Sequence, residues 1–116
     1  MATYLISFPS TAMTATGAEL RAASDDSHAV VAEAQAAGVW VFGGGIDGGV
    51  PPVMVDGTGT VLESTYAETR HLDGGFAVLE VSTRQEALEW ARKLAAACRC
   101  AQEVRVFAEG AQSAES

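Results

Sequence analysis

The chain has 116 residues, room for one domain with a single core and too little for two. Hydrophobic residues make up 48% and charged residues 19%, so a packed globule is the default and disorder, fibre and disulfide scaffold are set aside. A formal net charge of -8 repels phosphate backbones and anionic lipid, which argues against nucleic acid or a membrane as partner.

The short apolar stretch Tyr4 to Phe8, closed by Pro9, predicts a first strand. Thr16 and Glu19 fit a capping box at the start of a helix. Leu20, Ala23, Ser27, Val30, Val31 and Ala34 then recur at gaps of three and four, one helical stripe, until Gly38 supplies a left-handed end. Val39 to Phe42 reads as a second strand, closed by the glycines from Gly43 to Gly49 and by Pro51-Pro52. Val53 to Val55 and Thr60 to Leu62 flank Asp56-Gly57-Thr58-Gly59, a turn sequence that predicts a small hairpin. Gly75 to Val81 is the next strand.

Ser82 with Gln85, or Thr83 with Glu86, opens a second helix, along which Ala87, Leu88, Ala91, Leu94, Ala95 and Cys98 lay out an apolar stripe. Arg92, Lys93 and Arg99 fall late in it, where cations meet the negative end of the helix dipole. Glu103 to Ala108 is the last strand, giving one domain over residues 1–109, and the small polar residues 110–116 read as a mobile tail. No apolar run approaches the roughly 20 residues that cross a bilayer, and residues 1–10 do not form a secretory leader, so a cytoplasmic location is expected. Cys98 and Cys100 have only Arg99 between them, too short a gap for an unstrained bridge, and read as reduced thiols.

This element order is a split βαβ repeated loosely, and it implies an α+β sandwich of ferredoxin type: an antiparallel sheet with two helices on one face. The other face is also apolar, because Val39 to Phe42 is apolar in both parities and Phe76 and Val78 occupy the second parity of the Gly75 to Val81 strand. With no third helix to cover it, the expected cover is a second copy of the same sheet, a homodimer.

Asp56-Gly57, Ala67-Glu68-Thr69-Arg70, Gly74-Gly75-Phe76 and Glu86-Ala87-Leu88-Glu89-Trp90-Ala91, with His28 and Ala36-Ala37-Gly38 upstream, run over nearly the whole chain in the order of a known family. In these residues the chain resembles the YCII-related proteins in their DGPF branch. That branch has a hairpin, Asp-Gly-Pro-Phe-x-Glu-Thr-Lys, a Gly-Gly-Phe strand and a helix with Glu-Ala and Trp-Ala. Here Glu63-Ser64-Thr65-Tyr66 stands in place of Asp-Gly-Pro-Phe, keeping an acid and an aromatic at the ends without the Gly-Pro turn. The resemblance implies a ferredoxin-like dimer that closes two sheets into an α-β barrel. It implies no single activity: some relatives are proposed enzymes with a histidine-aspartate site, and some DGPF proteins are encoded beside extracytoplasmic-function sigma factors.

His28 falls on the flank of the first helix's apolar stripe, where it is either an edge histidine packed on the sheet or a proton shuttle oriented by Asp26 or Glu68. Glu63, Tyr66, Glu68 and Thr69 lie in a polar segment between two strands, where binding groups tend to sit, and Gly44 belongs to a glycine stretch that lets backbone pass close to a small ligand. Gly43, Gly45 and Gly48 match a dinucleotide fingerprint formally, but Val50-Pro51-Pro52 follows instead of a helix, so no cofactor is expected. Cys98 and Cys100 lack further ligands at metal-site spacing, and no metal is expected. Two readings stand: a cofactor-free small-molecule enzyme performing proton transfer or elimination with His28 as base, or a non-catalytic ligand-binding or regulatory dimer linked to transcriptional regulation.

Overall fold

Alternation sets the first strand. The computed structural model describes residues 1–112, and in it Ala2–Phe8 (β1) sends Tyr4 and Ile6 to one face and Leu5 and Ser7 to the other. Helix α1 follows at Gly17–Ala36 and β2 at Trp40–Gly45; a hairpin is formed by β3, Met54–Val55, and β4, Val61–Leu62. After a 3₁₀ turn at Ala67–Thr69 come β5, Gly75–Val81, then α2, Arg84–Cys98, and β6, Glu103–Val106. Of the tail expected over residues 110–116, residues 113–116 lie outside the described residues.

The four long strands form one antiparallel sheet in the order β2-β5-β1-β6, with β3 and β4 as a separate two-stranded ribbon. Both helices cover the same sheet face. Val30 and Ala34 of α1 and Ala87, Ala91, Leu94 and Ala97 of α2 pack on Tyr4, Ile6, Ala77, Leu79 and Val81, and this cluster is the core. The fold is therefore the ferredoxin-like α+β arrangement expected. Among the described residues, no helix is long and apolar enough to cross a membrane.

Several local expectations are corrected. The Thr16–Glu19 capping box does not form: Thr16 makes no side-chain cap bond, and Glu19 Oε1 instead accepts from Arg99 Nε at 2.9 Å. The second helix does carry its cap, with Thr83 Oγ1 accepting from Glu86 N at 3.1 Å. Arg99 ends α2 as a left-handed residue at φ 59°, and its guanidinium also reaches Asp26 Oδ2 at 2.8 Å, tying the end of α2 to α1. Leu20 and Leu88, assigned to the apolar stripes, face solvent. The second strand does not stop at Phe42 but runs through Gly45, because the glycines keep pairing with β5: Gly43 opposite Ala77, Gly44 opposite Phe76 and Gly45 opposite Gly75. A bulge between Trp40 and Phe42 lets the Trp40 indole fold over Gly43, where a Cβ would lie 2.5 Å from it. The last strand ends at Val106, two residues early.

On the sheet face away from the helices, Leu5 pairs with Val78 and Ser7 with Phe76, and Phe42 pairs with Val78 from the other side. Phe42 is 70% exposed there.

Candidate functional site

The end of β1 and the start of β5 are locked together, and both cavities described below share that lock as a wall. Asp73 Oδ2 accepts from Ser10 Oγ at 2.7 Å and Oδ1 from Ser10 N at 3.2 Å. These bonds hold the Asp73 carboxyl below the usual carboxylate range. Next to it, a Cβ on Gly74 would overlap the Phe8 carbonyl oxygen, and one on Gly75 would lie 2.6 Å from the Phe8 ring. The two glycines thus let β5 approach β1 closely enough to seat the Phe8 ring over Gly75, and Phe76 follows as the next wall residue.

On the helix side, Ile6, Phe8, Met13, Val31, Trp40 and Leu94 line most of a cavity of about 340 Å³. Its polar wall is made by Ser27, His28 and Gln102, by the backbone of Gly43 to Gly45, and by Cys98. Gln102 is pinned by donating to the Cys100 carbonyl at 3.2 Å, and Ser27 by donating to the Ser24 carbonyl at 2.9 Å. Burial raises the Cys98 thiol above its ordinary pKa, so it lines the wall as a neutral group. Among the described residues, no carboxylate, ammonium or guanidinium stands on this wall.

On the open face lies a second cavity of about 460 Å³, with Leu5, Ser7 and Phe76 of the sheet as its floor. Glu68, Thr69, His71 and Leu72 form its overhang, and Glu103 and Arg105, bonded to one another at 3.2 Å, its far rim. Glu68 to Leu72 therefore reach over one end of the sheet, with Thr69 fixing the turn through its backbone N–H to the Tyr66 carbonyl at 3.1 Å.

The structure brings His28 and Gly44 together on the first cavity and Glu68 and Thr69 on the second. Glu63 and Tyr66 are exposed and line neither. Among the described residues, the structure brings no carboxylate within 4 Å of His28. Asp26 lies two positions away on the same helix, so the two side chains diverge; it bonds Arg99 in a groove between the helices. Glu68 belongs to the opposite sheet face. His28 is exposed and not packed on the sheet as an edge histidine would be, because its flank position leaves the ring at the cavity mouth rather than under the sheet.

Sequence reasoning missed Ser27 as a wall residue, although it lies beside His28 on the helix stripe. It also missed Gln102, which sits in the short α2–β6 connection and has no sequence signal. Among the described residues, no three His, Cys, Asp or Glu side chains converge as metal ligands would.

A family model for the YCII-related domain matches residues 3–109, nearly the whole chain. No curated protein matches it.

Proposed function

The chain belongs to the YCII-related family, and from that premise we propose that it is a ligand-binding homodimer whose helix-side cavity takes a compact, mainly apolar small molecule. The observation that carries this reading is the cavity wall: eight apolar side chains, a few pinned polar groups and, among the described residues, no carboxylate beside His28. A poised general base needs such a partner or a matched pKa, whereas a binding pocket needs only apolar area with a few orienting hydrogen-bonding groups. At about 340 Å³ the cavity suits one ring system carrying a hydroxyl or carbonyl, which His28, Ser27 and Gln102 would orient. The dimer forms through the open sheet face, where Phe42 is exposed and its neighbour Val78, with Leu5 and Phe76, is only partly covered. A cytoplasmic, reducing setting keeps Cys98 and Cys100 as thiols, and the charge of -8 sets the dimer against nucleic acid and membrane partners.

Trp40 stands in the cavity wall and supplies the test. In a Trp90→Phe background, titration with 1-naphthol should change Trp40 fluorescence saturably, and Val31→Phe, which fills the cavity, should abolish the change. Unsaturable quenching that is equal in both proteins would overturn the reading. A catalytic reading is favoured by one observation, the imidazole on the cavity wall. It predicts His28-dependent exchange of the α-protons of an aryl ketone into deuterated water, followed by NMR; equal rates with His28→Asn would exclude it.

A further inference from the structure

Large apolar side chains in contact with solvent are unevenly placed on this chain. Of fifteen among the described residues, ten fall between Val41 and Leu72, in the run that leaves β2 and returns to β5. At the centre of that run is the β3–β4 hairpin, where Val53, Val55, Val61 and Leu62 are each half or more exposed. The hairpin strands pack on each other and make no substantial contact with the four-stranded sheet or the helices. A two-stranded ribbon of this kind is at best marginally stable in water.

The hairpin is nevertheless built to hold its shape. Asp56 Oδ1 accepts from Thr58 N at 2.9 Å, from Thr58 Oγ1 at 2.6 Å and from Thr60 N at 3.1 Å. The radius of gyration, 15.6 Å, exceeds the ~13 Å of a compact domain of this length. An ordered, projecting and apolar arm needs a surface to lie on.

Area and charge identify that surface as a second copy. At their exposures the ten residues of the run present about 1,000 Å² per copy, against the ~800 Å² that each partner contributes to a standard stable interface; the four on the hairpin supply about a third of it, and Val41 and Phe42 of β2 make it continuous with the open sheet face. Two copies at -8 each repel, so their association must rest on apolar area, and this run is where the chain concentrates it. Of the four acids within it, Asp56 is turned onto its own turn and Asp47 Oδ1 accepts from Gly49 N at 2.9 Å, while Glu68 stands at the open-face cavity and leaves Glu63, beside Leu62, as the one exposed acid next to the arm. We propose that the β3–β4 arm is exchanged across the homodimer, each copy's arm docking on the other copy. The proposal rests on the dimer reading above and adds to the open-face contact a second, reciprocal one.

The test combines sedimentation velocity with hydrogen exchange at two concentrations. The wild-type chain should dimerise, and the amides of residues 54–62 should be protected at high concentration and lose protection at least tenfold on dilution to monomer. Val55→Glu combined with Leu62→Glu, both at exposed positions, should weaken the dimer at least a hundredfold while far-UV circular dichroism stays unchanged. A monomer at every concentration overturns the dimer reading and this inference together. A dimer whose arm amides exchange freely, or equally at both concentrations, overturns the arm exchange alone, as does an unchanged dissociation constant in the double variant.

Discussion

Gly74→Ala puts a methyl group where the structure leaves no space. Its Cβ would overlap the Phe8 carbonyl oxygen and lie 2.8 Å from the Pro9 carbonyl carbon and 2.9 Å from that of Phe8. All three are backbone atoms, so no side chain can swing aside, and the end of β1 must part from the start of β5. Overpacking of this kind costs about 1–3 kcal/mol. Parting the strands also endangers the Ile46 N to Gly74 carbonyl bond at 2.9 Å, about 1 kcal/mol more. The expected loss is about 3 kcal/mol, a large part of the roughly 5–15 kcal/mol that holds a domain folded. Thermal unfolding at fixed protein concentration should shift down by roughly 10 °C. Gly48→Ala, where a Cβ meets nothing within 4 Å, is the control and should stay within about 0.5 kcal/mol of wild type. Urea denaturation of the three proteins measures the difference. If Gly74→Ala were as stable as wild type, or Gly48→Ala as damaged as Gly74→Ala, the close approach would not be what requires glycine before Gly75-Phe76.

The two helix starts separate a working cap from a nominal one: Thr83→Ala should lower stability by about 1 kcal/mol in urea denaturation, while Thr16→Ala, which removes no cap bond, should change it little. Equal losses would show that the Thr83 bond is not what holds α2's first turn. The Ser10 bonds lower the folded-state pKa of Asp73, so its contribution to stability is complete at pH well above the ordinary 3.8 and fades as pH falls through the lowered value. Asp73→Asn should therefore flatten the acid limb of the stability curve measured by thermal unfolding between about pH 5 and 2. An acid limb identical to wild type would mean that the Ser10–Asp73 contact is not kept in solution.

What the chain itself determined is what repeats locally. Period-two alternation in Ala2–Phe8 and Gly75–Val81, the stripe of Ala87, Ala91, Leu94 and Cys98, the Thr83–Glu86 cap and the left-handed Gly38 depend on neighbours within a turn or a strand, and each stands in the structure. Their order was enough for the ferredoxin-like sheet, because few antiparallel arrangements bury two helices on one face. The tertiary structure alone decided which distant groups meet. Glu19 left its local cap for Arg99, eighty residues on, because α2 brings a guanidinium to the start of α1. Gly43 to Gly45 became strand rather than loop, since β5 offers them a ladder and Trp40 covers the space a side chain would need. His28 and Glu68, close in role when read along the chain, came to lie on opposite sides of the sheet, and no periodicity reports that, because the sheet between them is assembled from strands seventy residues apart.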